Sequence, residues 1–307
     1  MKENIKSIIS FIYQEARPLE IKRLEYLLGM GDEEPILDEL VKYQNLDGGF
    51  AHGLEPDLWN IESNPISTWT AMHILRQIGF SKKDPLIKNM MLYLEATYND
   101  EKVGWDLKIA SNNDYPCAPW WTYQKEEIGY NPSASIAGFI LKYSDPLSRV
   151  FKFATKVAKK TYEDIINHKE KTMEIHDLRC VCDLIEESKH IFGRYDHYIE
   201  ARKKVITLIE HTINQDETKW FTSYVAKPTS VIGIYPSFIT EVYEDLIFKE
   251  FNQAMKYRNQ KGVWDITWSW EDEKNTFKRA KKHWEGVQAF EYLYLMTQMN
   301  YVELRDL

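Results

Sequence analysis

A chain of 307 residues is long enough for two average domains, but helical ring folds use that length for one continuous core, so a single domain over 1–307 is the expectation. The hydrophobic share of 44% is ordinary, whereas 14% aromatic, with ten Trp and nineteen Tyr, is high. A formal charge of −8, from 47 acidic and 39 basic residues mixed along the chain, argues against a nucleic-acid footprint and against a polybasic membrane patch.

The first fifteen residues set Ile5, Ile8, Ile9 and Ile12 among Lys2, Glu3, Lys6 and Glu15, which predicts an amphipathic helix and not a signal-peptide core. Ile36, Leu37, Leu40 and Val41 form the apolar face of a later helix, which runs into the turn Gln44-Asn45-Leu46-Asp47-Gly48-Gly49-Phe50. A loop with His52, Glu55, Asp57 and Trp59 follows. Asn64-Pro65 then opens another helix, with a side chain able to cap and a proline suited to the first turn. Leu86, Ile87, Met90, Met91 and Leu94 repeat the amphipathic pattern, and Tyr98 precedes Trp105 by the interval that separates Tyr43 from Phe50. The second loop holds Asp106, Asp114, Trp120, Trp121 and Tyr123, and Asn131-Pro132 leads into 134–141, apolar nearly all round.

Further helices without Trp fill 147–213, and one of them, over 174–185, has His176, Asp177 and Arg179 near its start. Tyr198, Ile199, Val205, Ile206 and Ile209 give a third amphipathic face, after which Ile213 precedes Trp220 at the same interval as before. Residues 215–237 read as irregular. Val242, Tyr243, Leu246, Ile247 and Met255 lead to Lys256-Tyr257-Arg258-Asn259-Gln260-Lys261-Gly262-Val263-Trp264, which aligns without gaps on 42–50. The last loop holds Asp265, Trp268, Trp270, Glu271 and Asp272, and Trp284 stands early in a final apolar helix over 287–296.

The order is outer helix, aromatic turn, loop, inner helix. Two concentric helical layers satisfy it, so the predicted fold is all-α, an α/α toroid of about five to six hairpins whose closure the sequence leaves open. Cys117, Cys180 and Cys182 make neither an even disulfide set nor a C-x-x-C pair, and no run approaches membrane-spanning length, so a cytoplasmic protein with reduced thiols is expected.

The segment Gln44 to Phe50 resembles the repeat of squalene cyclases, whose α/α barrel is shared with the β subunits of protein prenyltransferases; Arg258 to Trp264 is a second, weaker match. Asp47-Gly48-Gly49-Phe50 with Leu54-Glu55-Pro56-Asp57, then Ala118-Pro119-Trp120-Trp121, Asn131-Pro132 with Ile136-Ala137-Gly138, and Trp284 with Gly286 are similar to a bacterial family of toroid-like proteins of unassigned activity. That resemblance implies a fold and brings no reaction. The Asp-x-Asp-Asp acid of the cyclases and the Asp-Asp-x-x-Asp magnesium segment of terpene synthases do not occur in the chain. Cys180 and Cys182, two apart on a helix, point to different sides, so neither zinc nor prenyl transfer is expected.

Since each long loop joins an outer helix to the next inner one, the loops are expected at one end of the toroid. Eight of the ten Trp lie in these turns and loops, beside many of the acids. Glu55, Asp57, His176 and Asp265 are the candidate acid or base groups, and Glu55-Pro56-Asp57 stands out because carboxylates flanking a rigid proline serve no obvious helix role. His52, Trp120, Trp121, Asp177, Arg179, Trp268, Trp270 and Trp284 are the candidate substrate contacts. Against this, Trp in repeat turns staples helices, Asp47 beside glycines caps a turn, and Arg179 pairs with a nearby acid. The other histidines, His73 among them, lack metal-ligand spacing and carry no assigned chemistry. No cofactor, metal or nucleic acid is expected. The functional expectation is acid–base chemistry on a carbohydrate or isoprenoid-like small molecule, with a non-catalytic peptide- or lipid-binding module as the alternative.

Overall fold

Apolar side chains at helical spacing separated by charged ones build a chain of helices joined by tight aromatic turns. The computed structural model describes residues 2–125, 127–232, 240, 242–271 and 275–304. In chain order the described helices are α1 (Lys2–Glu15), α2 (Pro18–Leu27), α3 (Glu34–Val41), α4 (Pro65–Leu75), α5 (Pro85–Ala96), α6 (Ser133–Tyr143), α7 (Arg149–Ile166), α8 (Ile175–Phe192), α9 (Asp196–Thr212), α10 (Pro228–Ile232), α11 (Glu244–Lys256) and α12 (Thr276–Gln298). The protein is therefore all-α. No described helix is long and apolar enough to cross a membrane. The chain divides into two compact units, one made of 1–42, 214–229 and 234–307, the other of 43–213 and 230–233.

The second unit contains two rows of helices. In one row α6 packs between α4 and α8, and in the other α7 packs between α5 and α9; α6 also lies on α7, and α8 on α9. The first row is the covered one: every residue from Ser133 to Leu141 of α6 is buried. The second row buries one face, as in α7, where Val150, Ala154, Val157, Ala158, Thr161 and Ile165 are buried between solvated lysines. Gly138 permits the α6–α8 approach, since a Cβ there would stand 3.0 Å from Leu184 Cα and from Glu187 Oε2.

Helix starts follow local chemistry. Asn64 Oδ1 accepts the Ser67 N–H at 2.8 Å, and Pro65 occupies the first turn of α4, as the sequence suggests. The corresponding expectation at Asn131 is corrected: α6 begins at Ser133 after Pro132, without a side-chain cap. The Asn131 Oδ1 instead accepts from the Cys180 thiol of α8 at 3.7 Å, and the Asn131 N–H donates to Asp177 Oδ1 at 3.0 Å.

The aromatic turn recurs with the same geometry in three places. An Asn N–H donates to the carbonyl just before the ring: Asn45 to Gly49 at 2.9 Å, Asn99 to Gly104 at 2.9 Å, Asn259 to Val263 at 2.7 Å. The residue two before the ring has positive φ: Gly48 at 91°, Val103 at 59°, Gly262 at 81°. The rings Phe50, Trp105 and Trp264 are buried. The Trp105 indole N–H donates to Leu94 O at 2.9 Å and that of Trp264 to Ala254 O at 2.8 Å, so each Trp staples its turn to the helix it leaves. Trp220 differs from this pattern. A 3₁₀ turn over Glu217–Lys219 brings it in, and its indole donates to Asn214 O at 2.8 Å. Val103 is the β-branched member where the other copies hold glycine, and left-handed backbone is costly for such a residue. Val103→Gly is expected to raise unfolding free energy by about 0.5–1 kcal/mol, the strain relieved less the added freedom of the unfolded chain. A urea midpoint that moves up at constant m-value checks this.

In the first unit α1 packs on α12 and α2, and α2 on α3 and α12. Arg17 donates to both Glu20 oxygens at 2.8 Å, and the Arg23 guanidinium lies 4.1 Å above the Phe290 ring. His283 sits near these cations. Burial and then Arg17 push its pKa down from 6.5 to about 4. A histidine depressed on folding contributes stability above its unfolded value that is lost as pH falls through the folded one. The melting temperature is therefore expected to fall between pH 6.5 and about 4 more steeply in the wild type than in His283→Gln. Parallel profiles would contradict this.

Candidate functional site

The 51–63 loop is clipped in place before it reaches α4. His52 N–H donates to Asn60 O at 2.9 Å, and Trp59 N–H to Pro116 O at 3.0 Å. The Asn60 amide donates to Ser111 Oγ and Asn112 Oδ1, both at 2.9 Å. Glu55 and Asp57 are buried despite their charge. Asp57 Oδ1 accepts the Trp121 indole N–H at 2.6 Å, and its backbone carbonyl accepts Ala118 N–H at 2.8 Å. Glu55 Oε2 accepts the Thr70 hydroxyl at 2.8 Å, which ties the loop to α4.

One turn further along α4, His73 meets α8. Arg179 Nη2 contacts His73 Nδ1 at 3.3 Å, and His73 Nε2 lies 3.5 Å from Asp183 Oδ2. Arg179 Nε donates to Asp183 Oδ1 at 3.2 Å, and Ser135 of α6 donates its hydroxyl to Asp183 Oδ2 at 2.6 Å. Arg76, the residue after α4, reaches the same carboxylate at 3.9 Å and holds Glu187 with both Nε and Nη2, at 3.0 and 2.6 Å. The result is a polar seam of separate contacts set along α4: Trp121 with Asp57 and Thr70 with Glu55 on the loop side, then the cluster of His73, Arg76, Ser135, Arg179, Asp183 and Glu187.

Burial by itself raises the Asp183 carboxyl, but Arg179 and Arg76 outweigh it and hold the group well below the usual carboxylate range. Glu187 moves the other way: burial prevails over Arg76, and its carboxyl is raised. Asp177 is likewise raised by burial, against the Asn131 N–H it accepts. Two carboxylates four residues apart on α8 are thus pushed in opposite directions by their surroundings.

The remaining sequence-predicted residues take other positions. His52 is exposed, with Nε2 2.8 Å from Asn45 Oδ1. His176 is exposed at the start of α8, where Glu174 Oε2 accepts its N–H at 2.7 Å. Trp120 leaves 39% of its surface exposed. In the other unit, Asp265 is 56% exposed and 3.3 Å from Lys281 Nζ. There Trp268 and Trp284 stand edge to face with centroids 5.4 Å apart, and Trp270 packs likewise on Phe277 at 4.9 Å. Asp272 lies outside the described residues.

Sequence reasoning missed Thr70, His73, Arg76, Ser135, Asp183 and Glu187. The signal was present in α8, where Arg179, Asp183 and Glu187 recur every four residues, the first two within the otherwise apolar stretch from Leu178 to Ile185, and so share one face. Cys117, Cys180 and Cys182 are free thiols, and burial pushes the pKa of each of them up. Among the described residues, no group of three or more His, Cys, Asp or Glu converges to hold a metal ion. A cleft of about 250 Å³ in the second unit, lined among others by Lys102, Val103, Tyr130, Lys160, Thr161 and Asp164, contains no sequence-predicted site residue. In comparisons with known proteins, no family model, no curated protein and no solved structure matches the chain.

Proposed function

We propose that this protein is an enzyme acting on a polar ring substrate of the carbohydrate kind, with its site on the seam where the 51–63 loop, α4 and α8 meet. The observation that carries the reading is the seam itself. Buried ion pairs contribute little net stability compared with apolar packing of the same volume, so a row of them across the covered helices suits a role in recognition or chemistry. In this reading Glu55 is the acid or base, and Trp69, Trp120 and Trp121 offer ring surfaces. Glycoside cleavage needs a second carboxylate, and Asp183, held ionised by its arginines, is the nearest in kind.

Two further parts of the reading concern architecture and location. The alternating rows of α4–α9 and the recurring aromatic turn support an α/α toroid related to terpenoid cyclases and prenyltransferases. The free thiols suit the cytoplasm. The second functional reading, a non-catalytic module for a peptide or lipid tail, is favoured by the way Asp57 is taken up by Trp121 and Asp265 by Lys281.

Saturation-transfer NMR with a panel of mono- and disaccharides, on wild type and Glu55→Gln, separates the two. Sugar signals retained in Glu55→Gln together with loss of turnover support the enzyme. Transfer to farnesyl or acyl probes alone, with none to sugars, contradicts it.

A further inference from the structure

The His73 ring is pinned in a manner that identifies its tautomer. A guanidinium carries only N–H donors. The 3.3 Å contact with Arg179 Nη2 therefore makes His73 Nδ1 the acceptor, which leaves the ring proton on Nε2, 3.5 Å from Asp183 Oδ2. An imidazole with one N–H facing a buried carboxylate and a lone pair on the other nitrogen is the arrangement of an oriented general base. Here the lone pair is capped by Arg179.

Two arginines reach the seam from different helices. Arg76 grips Glu187 with two bonds, one of them 2.6 Å, donates to Ser135 O at 2.9 Å, lies over the Phe139 ring at 5.3 Å, and has a side chain 1% exposed. Arg179 contacts Asp183 at 3.2 Å and His73 at 3.3 Å among its partners, and its side chain is 8% exposed. Beside the same imidazole stands Trp69, edge-on with ring centroids 4.2 Å apart. Its Nε1 is buried and meets no hydrogen-bond acceptor in the structure. That is an unmade bond beside the His73 ring.

Resting on the reading of this face as a ligand site, we infer that its ligand carries a carboxylate or phosphate group, and that Arg179 leaves His73 to bind it. Arg179 offers the planar fork that such groups prefer. Its departure frees His73 Nδ1 to accept a hydrogen bond from a ligand hydroxyl, with Asp183 behind the ring facing the Nε2 proton. Arg76 at 3.9 Å and the Ser135 hydroxyl at 2.6 Å remain as partners of Asp183. Arg179 is thus both the anchor for the anion and the cap that silences the base until the anion arrives.

The test is NMR of the full chain labelled with ¹⁵N-histidine, with the His73 signals assigned by their loss in His73→Gln, titrated with glucose, glucuronate, glucose 6-phosphate and inorganic phosphate. Glucuronate or glucose 6-phosphate is expected to bind about tenfold or more tightly than glucose and to shift His73 ¹⁵Nδ1. Glucose binding as tightly as its charged counterparts would overturn the inference and leave the carbohydrate reading standing. Inorganic phosphate matching glucose 6-phosphate, with the His73 shift, would uphold the anchor and remove the sugar. No binding by any probe would overturn both. In Arg179→Gln, checked as folded by circular dichroism, the His73 shift is expected without ligand and the preference for charged probes is expected to vanish; a preference that survives counts against the anchor.

Discussion

Replacing Arg76 with alanine is expected to lower the unfolding free energy by about 3–5 kcal/mol, a large share of the total for a domain of this kind. The reason lies in what Arg76 leaves behind. Glu187 is buried with its carboxylate matched by Arg76 Nε and Nη2, and Ser135 O also accepts from this guanidinium at 2.9 Å. Removing the cation strands a carboxylate and an acceptor where water does not reach, and burial already raises Glu187. Urea unfolding should show a lower midpoint at unchanged m-value. The double variant Arg76→Met with Glu187→Leu is expected to recover part of that loss, since the paired charges go together while Ser135 O and Asp183 still lose a partner. A single-variant loss below about 1 kcal/mol would mean that solvent reaches this pair.

Gly48→Ala is the second large effect, about 2–4 kcal/mol, and it divides into two parts. Gly48 has φ of +91°, and a Cβ there would stand 2.0 Å from the Asn89 carbonyl oxygen and 2.4 Å from its carbon, both backbone atoms of α5. The turn must therefore open or α5 must move. Gly29 isolates the conformational part, because its φ is +71° with nothing within 4 Å of an added Cβ. Gly29→Ala is expected to cost about 1 kcal/mol. Equal losses at the two positions would show that the first turn does not lie tight against α5.

Much of the helical framework was legible because it rests on local signals. Periodicity marked the amphipathic outer helices, and the near-continuous apolar run over 134–141 marked α6 as covered on all sides. Asn64-Pro65 announced the start of α4 for a reason that acts within four residues. Asn131-Pro132 has the same dipeptide and a different outcome: the Asn131 Oδ1 accepts from the Cys180 thiol, 49 residues later, at 3.7 Å. The aromatic repeat was readable at 42–50, at 98–105 and at 256–264, and misleading at Trp220, where spacing matched but a 3₁₀ turn did the work.

The site was legible only in part, for a related reason. Glu55 and Asp57 were found because they sit close together beside a proline, yet their partners, Thr70 and Trp121, are set by loop packing. Arg179 was noted for its place near a helix start, while its contacts across to His73 depend on how α4 and α8 flank α6. His73 carries no sequence signal of its own. Its neighbours define it: Trp69 one turn before it, Arg179 against one nitrogen, Asp183 facing the other.

The seam through Glu55, His73 and Arg179 is expected to receive a polar ligand. The most direct measurement is a chemical-shift map of the tryptophan indole and arginine side-chain N–H signals during titration with glucuronate. The Trp69 indole, which meets no acceptor in the structure, is expected to move downfield together with Trp121 and Arg179. Shifts confined to the exposed Trp120, or to residues lining the cleft by Lys102 and Tyr130, would place the ligand elsewhere and contradict the claim.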